Sequence, residues 1–399
     1  MKKLIEPIKI DLGPKALILP GPEPVLNTEG RVVRVSSPDL SGNELRYVTD
    51  AVKTGWISSS GSYIKKFEET FSQAVGVSYG VATTSATTAL HLAFFVLGIG
   101  EGDEVIVPTF TMAAASNMLH HLKAKSVFVD ADPETWTIDV KKIEEKITSK
   151  TKAIVAIHIY GHASDMDPII ALAKKHDLWL LEDAAEAHGG EYKGKKVGSL
   201  SDVSCFSFYG NKIITTGEGG MLLSDNQEIA EKAQIIRDHG FSKQARFIHE
   251  YAAFNFRMTN MQAAIGVAQV ERFDQLVEKR RHNAALYNEG LKEISGITTP
   301  PEDKNVKNVY WVYGILVDKN FGASRDQLRK ALADRGIETR SFFVPIHLQP
   351  VFYDSSAPDF PVSEMLCERG LYLPQSSAIS DEDIQYVIKN IKEIYGKGR

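Results

Sequence analysis

From about residue 41 to residue 225, short apolar runs alternate with amphipathic stretches, and this alternation constrains the fold more than any other feature. Glu104–Pro108, Ala124–Asp130, Lys152–Gly161, Leu178–Asp183, Val203–Gly210 and Gly220–Asp225 read as short buried strands. They are apolar almost throughout rather than at every second residue, which suits a sheet covered on both faces. Helical segments lie between them. Ser41 with Glu44 has the capping-box spacing, and Leu45, Val48 and Val52 form a helical stripe that Gly55 ends. Asp167 and Pro168 read as N-cap and first residue of a helix through His176. Strand and helix in alternation predict an α/β domain with a mainly parallel sheet.

The pattern changes after Gln262. A long helical run, Ala263–Leu291, leads into strand-like Val309–Asp318, helix-like Arg325–Gly336, strand-like Ile337–Phe343 and a last helix over Asp381–Tyr395. The expected organisation is an extended arm over residues 1–37, rich in proline, then a large α/β domain over 38–280. A smaller α+β domain over 281–399 completes it.

Several function classes are excluded early. With 46 basic and 51 acidic residues the formal charge is −5, which offers no nucleic-acid footprint. The longest apolar stretch, Leu90–Ile99, contains His91 and is about half the ~20 residues a membrane span needs. The N-terminus has no uninterrupted apolar core. Cys205 and Cys367 are far apart and form no CxxC pair, so neither a disulfide framework nor a zinc site is expected. These features read as a soluble cytoplasmic protein.

Three segments can carry chemistry. Thr83–His91 runs small and hydroxyl residues straight into an apolar helix, whose first N–H groups could hold a phosphate; alone it reads as a well-capped helix. Glu182–Gly189 follows a buried strand with carboxylates, at the strand end where open α/β sheets bind ligands. It equally describes a helix capped by Asp183 with Glu186 three residues on. In Phe206–Ile213, Lys212 closes an apolar strand, where a lysine is expensive to bury without a task. A desolvated lysine has a lowered pKa and attacks carbonyls; a surface-seeking lysine is the plainer alternative.

Asp183, Ser207 and Lys212 together, with 29 residues from the aspartate to the lysine, resemble the sugar-nucleotide aminotransferases. These are pyridoxal-phosphate enzymes of the aspartate aminotransferase fold (fold type I). The resemblance runs from about Ser37 to the C-terminus and is most specific over FSFYGNKIITTGEGGM, residues 206–221. It implies pyridoxal 5'-phosphate as cofactor, linked to Lys212, with Asp183 on the ring nitrogen. Ala86, Thr87 and Ser207 would hold the phosphate, and Glu186 would lie near the ring hydroxyl. Met112 falls where many relatives place an aromatic ring over the cofactor, a face its thioether can also cover. Asn255 matches a position that reaches the neighbouring subunit's cofactor, which implies a homodimer with shared active sites. Arg257 and His347 are the candidate substrate-binding residues. The implied partners are L-glutamate and a nucleotide-linked 4-keto-6-deoxyhexose, GDP-4-keto-6-deoxymannose first, with UDP- or dTDP-linked 3- or 4-keto sugars as the alternative.

Rival readings fare worse. Relatives that dehydrate sugars carry His at the position of Lys212. A non-catalytic regulator on the same fold has no need of the Asp183, Ser207 and Lys212 set. A nicotinamide dehydrogenase would show GxGxxG after its first strand, and none is present. His158 and His162 have metal-like spacing but sit at a strand end around Gly161, so they read as structural or substrate-adjacent. Thr216–Gly220 reads as a tight turn. Tyr310, Trp311 and Tyr313 read as core of the second domain.

Overall fold

The structure is a computed structural model that describes residues 12, 13, 15, 19, 20, 31–242, 244, 245 and 247–397. The chain opens with α1 (Glu44–Lys53), α2 (Ser62–Val75), β1 (Tyr79–Thr83) and α3 (Ala86–Val96). Then come β2 (Glu104–Pro108), α4 (Ala114–His121), β3 (Lys125–Val129), β4 (Thr151–Ile157), α5 (Met166–Lys175) and β5 (Trp179–Asp183). The short strands β6 (Glu191–Tyr192) and β7 (Lys195–Lys196) precede β8 (Val203–Ser207) and β9 (Gly220–Ser224). Helices α6 (Gln227–Arg237), α7 (Asn260–Val270) and α8 (Phe273–Leu291) follow. The last part contains β10 (Ile297–Thr298), β11 (Val306–Lys307), β12 (Tyr313–Val317), α9 (Arg325–Ala333) and β13 (Arg340–Ser341). It ends with α10 (Pro361–Arg369), β14 (Gly370–Leu373) and α11 (Asp381–Lys397).

The main sheet has seven strands in the order β1-β9-β8-β5-β4-β2-β3, and only β9 runs antiparallel to its neighbours. Both faces are apolar, as expected. Ile106, Ile154, Ala156 and Leu180 pack into a cluster on one face, and Val105, Val107, Val155 and Leu181 into a cluster on the other. A third core joins β12 and β14 to α8, α9 and α11, and it takes in Val33. Val33 also pairs with Ile337, and Lys15 forms ion pairs with Asp359 and Glu364. Most of the expected arm, residues 1–37, lies outside the described residues.

Local details differ from the expectation for physical reasons. The N-cap of α1 is Asn43, because the Ser41 hydroxyl is held by Asp39 and the Glu44 carboxylate by Gln269. The stripe on α1 faces outward: Leu45 is 80% exposed and Val52 56%. Helix α5 starts two residues early, with Asp165 at the N-cap position but its carboxylate turned to the Tyr192 hydroxyl instead of the helix. The run after Gln262 breaks at Glu271 and Arg272 into two helices. Strand β1 gives no clear sequence signal, since Tyr79–Thr83 holds only two buried aliphatic residues, Val81 and Ala82.

Candidate active site

Strand register assembles the site. Gly220 pairs with Ser207 on one side and Thr83 on the other, so the end of β8 and the start of α3 meet across one glycine. A Cβ on Gly220 would lie 2.3 Å from the Ser85 carbonyl and 2.5 Å from Ala86 N, so only glycine permits the approach. Ser85 caps α3 in a reciprocal box with Thr88. The first turn, Ala86 and Thr87, therefore presents its N–H groups to the adjoining cavity, at the positive end of the helix dipole.

That cavity, about 360 Å³, lies at the carboxyl ends of β4, β5 and β8. Ala86, Thr87, Met112, Asp183, Glu186, Ser207 and Lys212 all line it. Strand alternation separates the two carboxylates that end β5. Glu182 points away and is saturated, accepting from Gly198 N, Leu200 N and Ser201 Oγ and contacting His158 Nε2. Asp183 points in and accepts from Ala185 N at 3.1 Å. No helix follows Asp183, so the capping alternative does not hold.

Lys212 sits in the turn beyond β8 rather than closing the strand, and its side chain is buried. Its Nζ is 3.9 Å from Glu186 Oε1 and 3.4 Å from the centre of the Trp311 ring. Burial pulls the Lys212 amine below the usual lysine range, against the nearby negative charges of Glu186 and Asp183. Burial likewise pushes Glu186 and Asp183 up. Glu186 Oε2 is held by Tyr160 N at 2.7 Å, with Tyr160 in the left-handed region at φ 57°. A bulky residue there costs backbone energy and is kept only where its surroundings hold it. Behind the site, His188 lies among Phe71, Phe206 and Phe208, and burial pushes its pKa down to about 3.

Residues 38–392 match the DegT/DnrJ/EryC1/StrS aminotransferase family. The chain belongs to that family. GDP-perosamine synthase of Escherichia coli O157:H7 is 42% identical over 365 residues, which cover 92% of this chain and 99% of that one. Among solved structures, the aminotransferase TlmJ from Streptoalloteichus hindustanus superposes with a TM-score of 0.87 at 31% identity, over 92% of this chain and 99% of that one. Spr1654 of Streptococcus pneumoniae, solved in a PLP form, gives 0.86 at 28% identity, over 92% and 100%. The fold is that of the PLP-dependent aminotransferases, with the mainly parallel seven-stranded sheet as its centre.

Within this aminotransferase three candidates lie apart from the cavity. His347 is buried, with Nδ1 against Thr109 Oγ1 at 2.8 Å and Nε2 against Glu364 at 3.1 Å, and it borders a different cavity near Phe128 and Phe352. Arg257 is engaged by Asp238 and by Ser59 Oγ. Asn255 is exposed. Neither Arg257 nor Asn255 lines the Lys212 cavity of its own chain. His158 contacts Glu182 and accepts from Ser164 N, which matches its structural reading, and His162 is held by Ala163 O. Among the described residues no cluster of three metal-ligating side chains occurs.

Trp311 was missed. It sits in an alternating aromatic run that reads as core, and all three are: Tyr310 and Tyr313 in the core of the C-terminal part, Trp311 in the large core cluster on one face of the main sheet. Trp311 itself lines the cavity, as do Phe343 and Tyr372 from the same C-terminal part. Arg280 was missed too: it is wholly buried and reaches the carbonyls of Trp311, Gln375, Asn211 and Lys212. Nothing in a helical stretch of charged residues marks the one that turns inward.

Proposed function

We propose that this aminotransferase moves an amino group from L-glutamate to C4 of GDP-4-keto-6-deoxymannose, giving GDP-perosamine. The observation that carries the reading is the 42% identity to the Escherichia coli GDP-perosamine synthase across nearly both chains. The cavity retains Asp183, Ser207 and Lys212 in support.

The cofactor is pyridoxal 5'-phosphate, and the cavity fits it. A capped helix start next to the Ser207 hydroxyl suits a phosphate, and a buried carboxylate lined up on a cavity wall suits a cationic ring nitrogen. When bound, the cofactor supplies a carbonyl that takes up the donor's amine and an electron sink for the reacting carbon. Asp183 keeps the ring nitrogen's proton in place. Ala86, Thr87 and Ser207 would hold the phosphate and Met112 would pack against the ring, while Glu186 stands beside Lys212. Lys212, once its amine is released, moves the proton at the substrate carbon, a task suited to an amine whose pKa burial has lowered.

The large domain through residue 280 holds this machinery, and the smaller one over 281–399 closes it with Trp311, Phe343 and Tyr372. The active unit is a homodimer. Leu45, Val52, Trp56 and Ile57 are exposed apolar residues that a second copy could cover, and the exposed Asn255, which lines no cavity with its own chain's Lys212, is the residue such a copy would contribute. The reducing cytoplasm suits the two buried thiols, Cys205 and Cys367. Among the described residues no helix is long and apolar enough to cross a membrane.

Incubation with L-glutamate and GDP-4-keto-6-deoxymannose, followed by mass spectrometry and NMR, tests the reading. A 4-amino GDP sugar is expected. Amination at C3, or turnover only of UDP- or dTDP-linked sugars, would overturn it.

A further inference from the structure

We propose that Trp311 is a positioning residue for Lys212, holding the amine as a cation against its indole face whenever Lys212 is not linked to the cofactor. This rests on the reading of Lys212 as the cofactor-linked lysine. The Nζ atom stands 3.4 Å from the ring centre, well inside the ~6 Å reach of a cation–π contact. Trp311 is held at ring and backbone: indole Nε1 donates to Asn211 O at 3.0 Å, and its main-chain O accepts from Arg280 at 2.5 Å. The same guanidinium reaches the carbonyls of Asn211 and Lys212, each at 3.4 Å. One buried cation thus ties together the backbone segments that carry the amine and the ring.

The chemistry gives the contact a purpose. A buried ammonium is costly unless something stabilises it, and Glu186 at 3.9 Å is beyond hydrogen-bond distance. A carboxylate in direct contact would hold the proton too tightly for an amine that must both take and give it. The indole face stabilises the cation without adding a formal charge. The other groups that act on this amine are Glu186 and Asp183, which favour its charge, and Arg280, which opposes it. Tyr209, Glu218 and Tyr372 line the same cavity.

The test is trace acetylation of the full-length enzyme in its pyridoxamine-phosphate form, where Lys212 carries no cofactor. Labelling of the Lys212 peptide is followed by mass spectrometry from neutral to alkaline pH. Loss of the ring in Trp311→Leu should lower the midpoint of Lys212 labelling by about one pH unit. Trp311→Phe, which keeps a ring, should lower it by less than half as much. The sign separates the proposal from a packing role, because a hole that merely admits water favours the charged amine and raises the midpoint. An unchanged or raised midpoint in Trp311→Leu would overturn the proposal, as would an equal shift in Trp311→Phe. Equal labelling of Lys212 in the pyridoxal and pyridoxamine forms would instead overturn the reading of Lys212 on which the proposal rests.

Discussion

Replacing Gly220 by alanine probes the phosphate cradle with one methyl group. Gly220 lies in β9, outside the left-handed region, so alanine brings no backbone strain of its own. The added Cβ would instead sit 2.3 Å from the Ser85 carbonyl carbon and oxygen and 2.5 Å from Ala86 N. Those are backbone atoms that cannot swing aside, so the start of α3 must move. Overpacking of this kind costs about 1–3 kcal/mol of stability. If the displaced N–H groups hold the cofactor's phosphate, misplacing one charge-assisted hydrogen bond costs about 1.5–3 kcal/mol more. The dissociation constant for pyridoxal phosphate should then rise ~10- to 100-fold. Gly266→Ala in α7 is the control, since its Cβ would lie 2.6 Å from the Phe67 ring of α2, with similar crowding but no part in α3. Urea unfolding and absorbance titration of the cofactor measure both quantities. Comparable destabilisation of the two variants, with cofactor affinity within twofold of wild type in Gly220→Ala, would refute the phosphate assignment.

Other outcomes are equally specific. Asp183→Asn should bind the cofactor yet slow the glutamate half-reaction by at least ~100-fold, read by stopped-flow absorbance, because the amide cannot hold the ring proton electrostatically. His188, whose pKa falls from 6.5 to about 3 on folding, binds a proton only in the unfolded state between those values. It therefore costs stability as pH falls through that window, by ~1.4 kcal/mol per pH unit. His188→Leu should flatten the acid limb of the unfolding free energy by that slope; an unchanged slope would contradict the burial argument. Mixing Lys212→Ala with Asn255→Ala protein should restore activity to two inactive samples, since one hybrid site has neither lesion. A fully active monomer by light scattering would exclude the shared site.

The sheet was legible because strands buried on both faces leave uninterrupted apolar runs, as in Glu104–Pro108 and Val203–Ser207. The candidate site residues stand out for a related reason. Asp183 and Lys212 are charged residues in apolar surroundings, which demand explanation whatever the fold. Trp311 and Arg280 show the limit. An aromatic residue beside Tyr310 and Tyr313 looks like core, and its approach to Lys212 arises only from long-range packing between residues far apart in the chain. The outward stripe of Leu45 and Val52 shows the same limit in reverse, since periodicity reports an apolar face without saying what it packs on. His347 carries no sequence sign of its neighbours, and the structure places both its nitrogens against Thr109 and Glu364.

The central claim is that Lys212 carries the cofactor, and borohydride reduction tests it most directly. The cofactor-loaded enzyme is reduced, digested and mapped by mass spectrometry. The account predicts a single pyridoxyl adduct on Lys212, absent from Lys212→Ala. An adduct on any other lysine, or one that persists in Lys212→Ala, would contradict it.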